Sequence, residues 1–134
     1  MDAFSEILSG VRLNGAVYFN AEFSAPWGVS AQESRVMAAA VAPGAEHLVL
    51  YHLLIEGNAV IELQEGLSVQ LQPGDVVIVP HGDAHHMSSE KGVPRPYPNY
   101  GITAKVKSRD LTPLQAGGGG ETSRLVCGYM TWDP

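Results

Sequence analysis

The chain has 134 residues, 45% of them hydrophobic and 16% charged, with a formal net charge of -6. That balance is of one globular domain with a core of its own, and it excludes a disordered chain and argues against a nucleic-acid surface, which needs a basic patch. No stretch reaches the ~18 apolar residues of a membrane-spanning helix, the N-terminus lacks the pattern of a secretory signal, and the single cysteine, Cys127, excludes an internal disulfide and fits a reducing cytoplasm.

Asp2 to Val11 places Phe4, Ile7, Leu8 and Val11 on one helical face, with Asp2 positioned as the N-cap. The expectation is a short N-terminal helix covering one end of the fold, with Gly10 and Gly15 at its exit. Ala16 to Phe23 is aromatic and β-prone, with Val17, Tyr18, Phe19 and Phe23. It reads as a strand ended by Ser24-Ala25-Pro26-Trp27-Gly28. Trp27, held between Pro and Gly, is either a core plug or the aromatic wall of a pocket. Arg35 to Val41 fits another strand, although Ala38-Ala39-Ala40 favours helix locally. Pro43-Gly44 closes it.

Gly57, Gly66, Gly74 and Gly82 recur every eight or nine residues. Turns that frequent predict a meander of short antiparallel strands in a sandwich or barrel. From His47 to Gly57, strand alternation puts Leu50, His52 and Leu54 on one face and His47, Val49 and Tyr51 on the other, unless a bulge near Gly44 to His47 resets the register. Ala59, Ile61 and Leu63 alternate with Val60 and Glu62. Leu67, Val69 and Leu71 alternate with Ser68, Gln70 and Gln72, giving one apolar and one polar face.

Pro73-Gly74 then makes a turn, and Val76 to Val79 reads as a strand buried on both faces. Pro80 ends it, since it cannot donate to a ladder. Gly82 permits a second turn, with His81 beside it facing solvent, and the chain emerges at His85 and His86. Lys91 to Tyr100 carries Pro94, Pro96 and Pro98 and reads as an extended loop. Gly101 to Lys107 fits a strand with Ile102 and Val106 apolar. Gly117 to Gly120 lacks the Lys-Ser/Thr ending of a phosphate loop and reads as a flexible turn. Leu125 to Trp132 is a last strand. No repeat and no linker divides the chain, so residues 1–134 are expected to be one domain.

The spacing of Gly74, Pro80, Gly82 and His85 resembles the second signature motif of the cupin superfamily. The resemblance implies an all-β fold, a double-stranded β-helix or jelly-roll barrel, in which that histidine faces inward and often binds metal. The superfamily's upstream pair of histidines is absent; His47 and His52 stand where that motif would fall. A four-coordinate catalytic metal needs three protein ligands and an open position. His52 and His85, on facing strands, are the best two, and the third is His47, His86, Glu46 or Glu56. The metal would be a divalent transition ion, Zn, Fe, Ni or Mn. Otherwise His52 and His85 are inward polar groups that hydrogen-bond a ligand, water or backbone. Cys127 reads as a small buried residue ahead of a ligand or reactive thiol. Ser88 and Ser89 follow the histidines too closely to be activated by them, and the carboxylates are scattered.

More closely, the chain resembles the N-terminal cupin-like domain of AraC-type transcriptional regulators. The resemblance is carried by Asp2 to Leu13 leading into Gly15-Ala16-Val17-Tyr18-Phe19, by Ser24 to Gly28, and by His52-Leu-Leu-Ile-Glu-Gly57. Pro73 to His85 and Gly117 to Gly128 complete it. It implies a sensory barrel that binds a small-molecule effector and biases an attached DNA-binding part. That part is not expected in these 134 residues, which would not bind DNA directly. The effector would lie in a small, largely apolar pocket, oriented by His52 and His85, with Trp27 as a wall. A free-standing metal-dependent cupin enzyme, an oxygenase or isomerase, is the alternative. Exposed barrel edges and the resemblance imply a homodimer.

Overall fold

The computed structural model describes residues 12–30, 48–63, 66–80, 85–98 and 100–133. The expected N-terminal helix, the segment Arg35 to Val41, and His47, His81 and Gly82 lie outside the described residues. Within them the strands run β1 (Arg12–Ser24), β2 (Gly28–Ser30), β3 (Leu48–Glu56), β4 (Ala59–Leu63), β5 (Ser68–Leu71), β6 (Val76–Pro80) and β7 (His85–Ser88). A helix, α1 (Ile102–Lys107), precedes β8 (Leu114–Gly117) and β9 (Thr122–Asp133). β1 begins before the predicted strand and absorbs Gly15, which pairs with Met130.

The strands form two sheets, one in the order β6-β3-β9-β1-β8 and one in the order β2-β7-β4-β5. This is the expected all-β jelly roll, with the core between two sheet faces. β9 is the spine of the larger sheet, paired antiparallel to β1 on one side and to β3 on the other. Residues in register share a face. Leu54 and Leu125, His52 and Cys127, and Leu50 and Tyr129 therefore form successive rows on the inner face. From the smaller sheet Ala59, Ile61, Leu71 and Met87 complete the core.

The glycine turns stand where predicted, with Gly57, Gly66 and Gly74 all at positive φ. The meander does not. Among the described residues, only β4 and β5 form a sequential hairpin. β3 pairs with β6, so the chain crosses between sheets after Gly57 and again after Gly74. A turn residue marks where the chain reverses and leaves open which strand it joins; burial of both inner faces decides that.

β6 is buried on one face only. Val79 is in the core, whereas Val76 and Ile78 are 54% and 57% exposed. β6 ends the larger sheet among the described residues, and the outer face of an antiparallel sheet can meet water. On β5, at the end of the smaller sheet, Leu71 is buried but Val69 is exposed, as is Leu67 just before the strand.

Gly101 to Lys107 is a helix from Ile102 rather than a strand. Tyr100 and Gly101 both adopt left-handed φ and turn the extended loop into α1. Ile102 and Val106 are its buried residues. A spacing of four places them on one face of a helix or of a strand alike, which is why the pattern misled.

Gly117 to Gly120 is a turn, as expected, but a seated one. Gly118 and Gly120 N–H donate to Ser24 and Ala25 carbonyls at 2.9 and 2.8 Å. A Cβ at Gly117 would strike the Ser24 carbonyl, and one at Gly118 the Pro26 ring. The run is glycine because two backbones meet there.

Candidate functional site

His52 sits at the middle of β3, between the inward Leu50 and Leu54, as alternation predicted. His85 opens β7, opposite Leu63 of β4, on the inner face shared with Met87 and Ile61. The two histidines therefore come from different sheets and meet inside the barrel. They are 5% and 3% exposed, and their Nε2 atoms stand 3.3 Å apart.

A third group joins them. Cys127, in register with His52 across β3 and β9, puts its Sγ 2.9 Å from His52 Nδ1. Burial, and then the neighbouring His85, lower the His52 pKa from 6.5 to about 3. Burial pushes the Cys127 thiol up to about 12. Near neutral pH His52 and Cys127 are both uncharged, so His52 carries one ring proton, and its two ring nitrogens face Cys127 Sγ and His85 Nε2, one as donor and the other as acceptor. Composition and spacing alone did not reveal this role for Cys127. It lies 75 residues from His52, and only the β3–β9 register joins the two.

The other candidates stand elsewhere. Trp27 is wholly buried, its ring 5.2 Å from that of Phe23, and its indole N–H has no partner among the described residues. His86 points away from His52 and packs edge-on to Tyr97 at 5.8 Å. Burial and then Arg95 lower its pKa. His47 and Glu46 are outside the described residues, and Glu56 is exposed at the end of β3.

Two nitrogens on one tetrahedral zinc at about 2.0–2.1 Å would stand about 3.3–3.4 Å apart, so the His52 and His85 Nε2 atoms match two ligand positions. Cys127 cannot complete the set, because it occupies the opposite ring nitrogen of His52. No group of three donors able to hold a metal occurs among the described residues.

A family model described as Cupin matches residues 2–134. The chain belongs to the cupin family. It is also 27% identical over 90 residues to the HTH-type transcriptional regulator AlkR of Acinetobacter baylyi. That alignment covers 67% of this chain and 26% of AlkR, so the chain spans about a quarter of the curated relative it matches. Among solved structures, the cupin domain of Schizosaccharomyces pombe Cnp3 superposes with a TM-score of 0.43 at 11% identity, covering 90% of this chain and 65% of that one. A cupin-2 domain protein from Shewanella frigidimarina superposes with a TM-score of 0.37 at 10% identity, covering 96% and 92%. No helix among the described residues is long and apolar enough to cross a membrane.

Proposed function

We propose that this chain is the effector-sensing domain of an AraC-type transcriptional regulator, acting in the cytoplasm as a homodimer. The barrel takes a small, largely apolar molecule. His52 and His85 orient it through hydrogen bonds, the ligand entering between the two Nε2 atoms that contact each other in the ligand-free barrel, and Trp27 supplies an aromatic wall. The observation that carries the reading is the His52–His85 pair, buried between the two sheets with Cys127 against His52. A neutral imidazole such as His52 presents both a donor and an acceptor without the cost of burying a charge, which suits recognition of a small polar handle on an apolar body. The similarity to a helix-turn-helix regulator supports the attachment of a DNA-reading part. With a formal net charge of -6, DNA contact falls to that part. A ligand can bias it only through different affinities for two arrangements of the barrel.

The test is a thermal-shift screen of uncharged molecules of up to about 15 heavy atoms, followed by calorimetry on the hits. The His52→Ala/His85→Ala double variant is expected to lose at least tenfold in affinity, about 1.4 kcal/mol. Hits that bind the double variant as tightly as the parent chain would overturn the assignment.

A metal-dependent cupin enzyme, of oxygenase or isomerase type, is the second reading. The 3.3 Å separation of the two Nε2 atoms favours it. It predicts near-stoichiometric Zn, Fe, Ni or Mn in tag-free protein by elemental analysis, lost in His52→Ala. Folded protein that takes up no such metal when it is supplied would remove it.

A further inference from the structure

A cleft of ≈ 270 Å³ opens between α1 and the β1–β9 pair at Tyr18 and Tyr129, the inner-face row next to Cys127, and neither His52 nor His85 lines it. Its walls include Tyr18, Tyr129, Val106 and Leu111, and Arg109 is its one cation. The Tyr18 and Tyr129 rings stand 6.5 Å apart and only 29° from parallel, which gives the cleft a broad aromatic side. Val106 and Leu111 supply the aliphatic remainder.

Arg109 occupies an unusual place. α1 ends in a Schellman motif: Arg109 N–H donates to the Val106 carbonyl at 3.0 Å and Asp110 N–H to the Lys105 carbonyl at 3.2 Å. The residue at this corner takes left-handed φ and is ordinarily glycine. Here it is arginine, at φ 56. Complementing the helix dipole does not require it, since Lys105 and Lys107 already lie in the last turn. Nor does ion pairing. The adjacent Asp110 is engaged by Lys105 and Thr112, and among the described residues the Arg109 side chain has no ion-pair, hydrogen-bond or ring partner. The chain therefore accepts backbone strain to set an uncompensated guanidinium beside an aromatic cleft.

We propose that this cleft binds a small aromatic carboxylate, its ring against Tyr18 and Tyr129 and its anion on Arg109. A guanidinium fork suits a carboxylate, with two parallel N–H···O bonds. A phosphate dianion fits less well, because the C-terminal end of α1 is electronegative and no second cation lines the cleft. The volume equals roughly nine waters, which sets the ligand at roughly ten heavy atoms. The inference goes beyond the effector reading, since neither His52, His85 nor Trp27 lines this cleft.

The test is isothermal titration with phenylacetate and its uncharged counterpart phenylacetamide, on the parent chain and on Arg109→Gly. Phenylacetate is expected to bind saturably and phenylacetamide at least tenfold more weakly. Arg109→Gly is expected to weaken phenylacetate at least tenfold while the Tm of the ligand-free protein holds or rises, because glycine relieves the left-handed strain. That combination separates lost binding from lost folding. The hits of the effector screen should bind Arg109→Gly as tightly as the parent chain, so this site and the effector pocket stand or fall separately. No saturable binding up to 5 mM phenylacetate, or equal affinity in Arg109→Gly, would overturn the proposal.

Discussion

Trp27→Ala is expected to lower the unfolding free energy by about 4 kcal/mol, within the usual range for truncating a buried aromatic side chain. Trp27 is wholly buried, packs on Phe23 at 5.2 Å, and is the largest fully buried side chain among the described residues. Truncation of a wholly buried ring leaves a cavity, whose cost adds to the lost transfer free energy. Trp27→Phe should cost much less, under about 2 kcal/mol. It keeps most of the buried ring and removes an indole N–H that has no partner among the described residues and so contributes only a desolvation cost. Urea denaturation of the two variants checks both figures. A loss below about 1 kcal/mol for Trp27→Ala would mean that the ring is not packed as core.

Acidification should destabilise the chain through His52. The unfolded chain protonates that imidazole near 6.5, whereas the folded chain holds it unprotonated to about 3. Between those values the unfolded state binds the extra proton, so stability is fully present above pH 6.5 and falls as pH drops. At about 1.4 kcal/mol per pH unit, lowering pH from 7 to 4 removes about 3 kcal/mol. His86 is shifted in the same direction. Asp110, lowered from 3.8 to about 2, acts with the same sign but only below that window. The measurement is Tm against pH for the parent chain and for His52→Gln, which keeps hydrogen-bonding capacity without a titrating group. The variant should show the shallower slope. Equal slopes would mean that His52 is protonated in the folded chain as readily as in the unfolded one.

Local chemistry explains how much could be read in one dimension. Glycines at positive φ, a proline at the end of β6 and the alternation of Leu50, His52 and Leu54 are properties of a few neighbouring residues, and each was legible. So was the run from Gly74 to Pro80, because a turn followed by a short strand demands those residues in that order. The same local reading failed where two structures share one pattern. Ile102 and Val106 suit a helix or a strand equally, and Val76 to Val79 reads as fully buried whether or not anything covers its second face.

By itself, then, the sequence determined an all-β chain with its turns in place, His52 facing inward, and the family to which it belongs. Tertiary structure alone decided that β3 joins β6 and β9, that Cys127 lies against His52, and that the two histidines meet from opposite sheets. It alone placed Arg109 beside Tyr18 and Tyr129. The physical reason is sequence separation. Strand register over 75 residues follows from burying both inner faces at once, and no window of the chain contains that constraint.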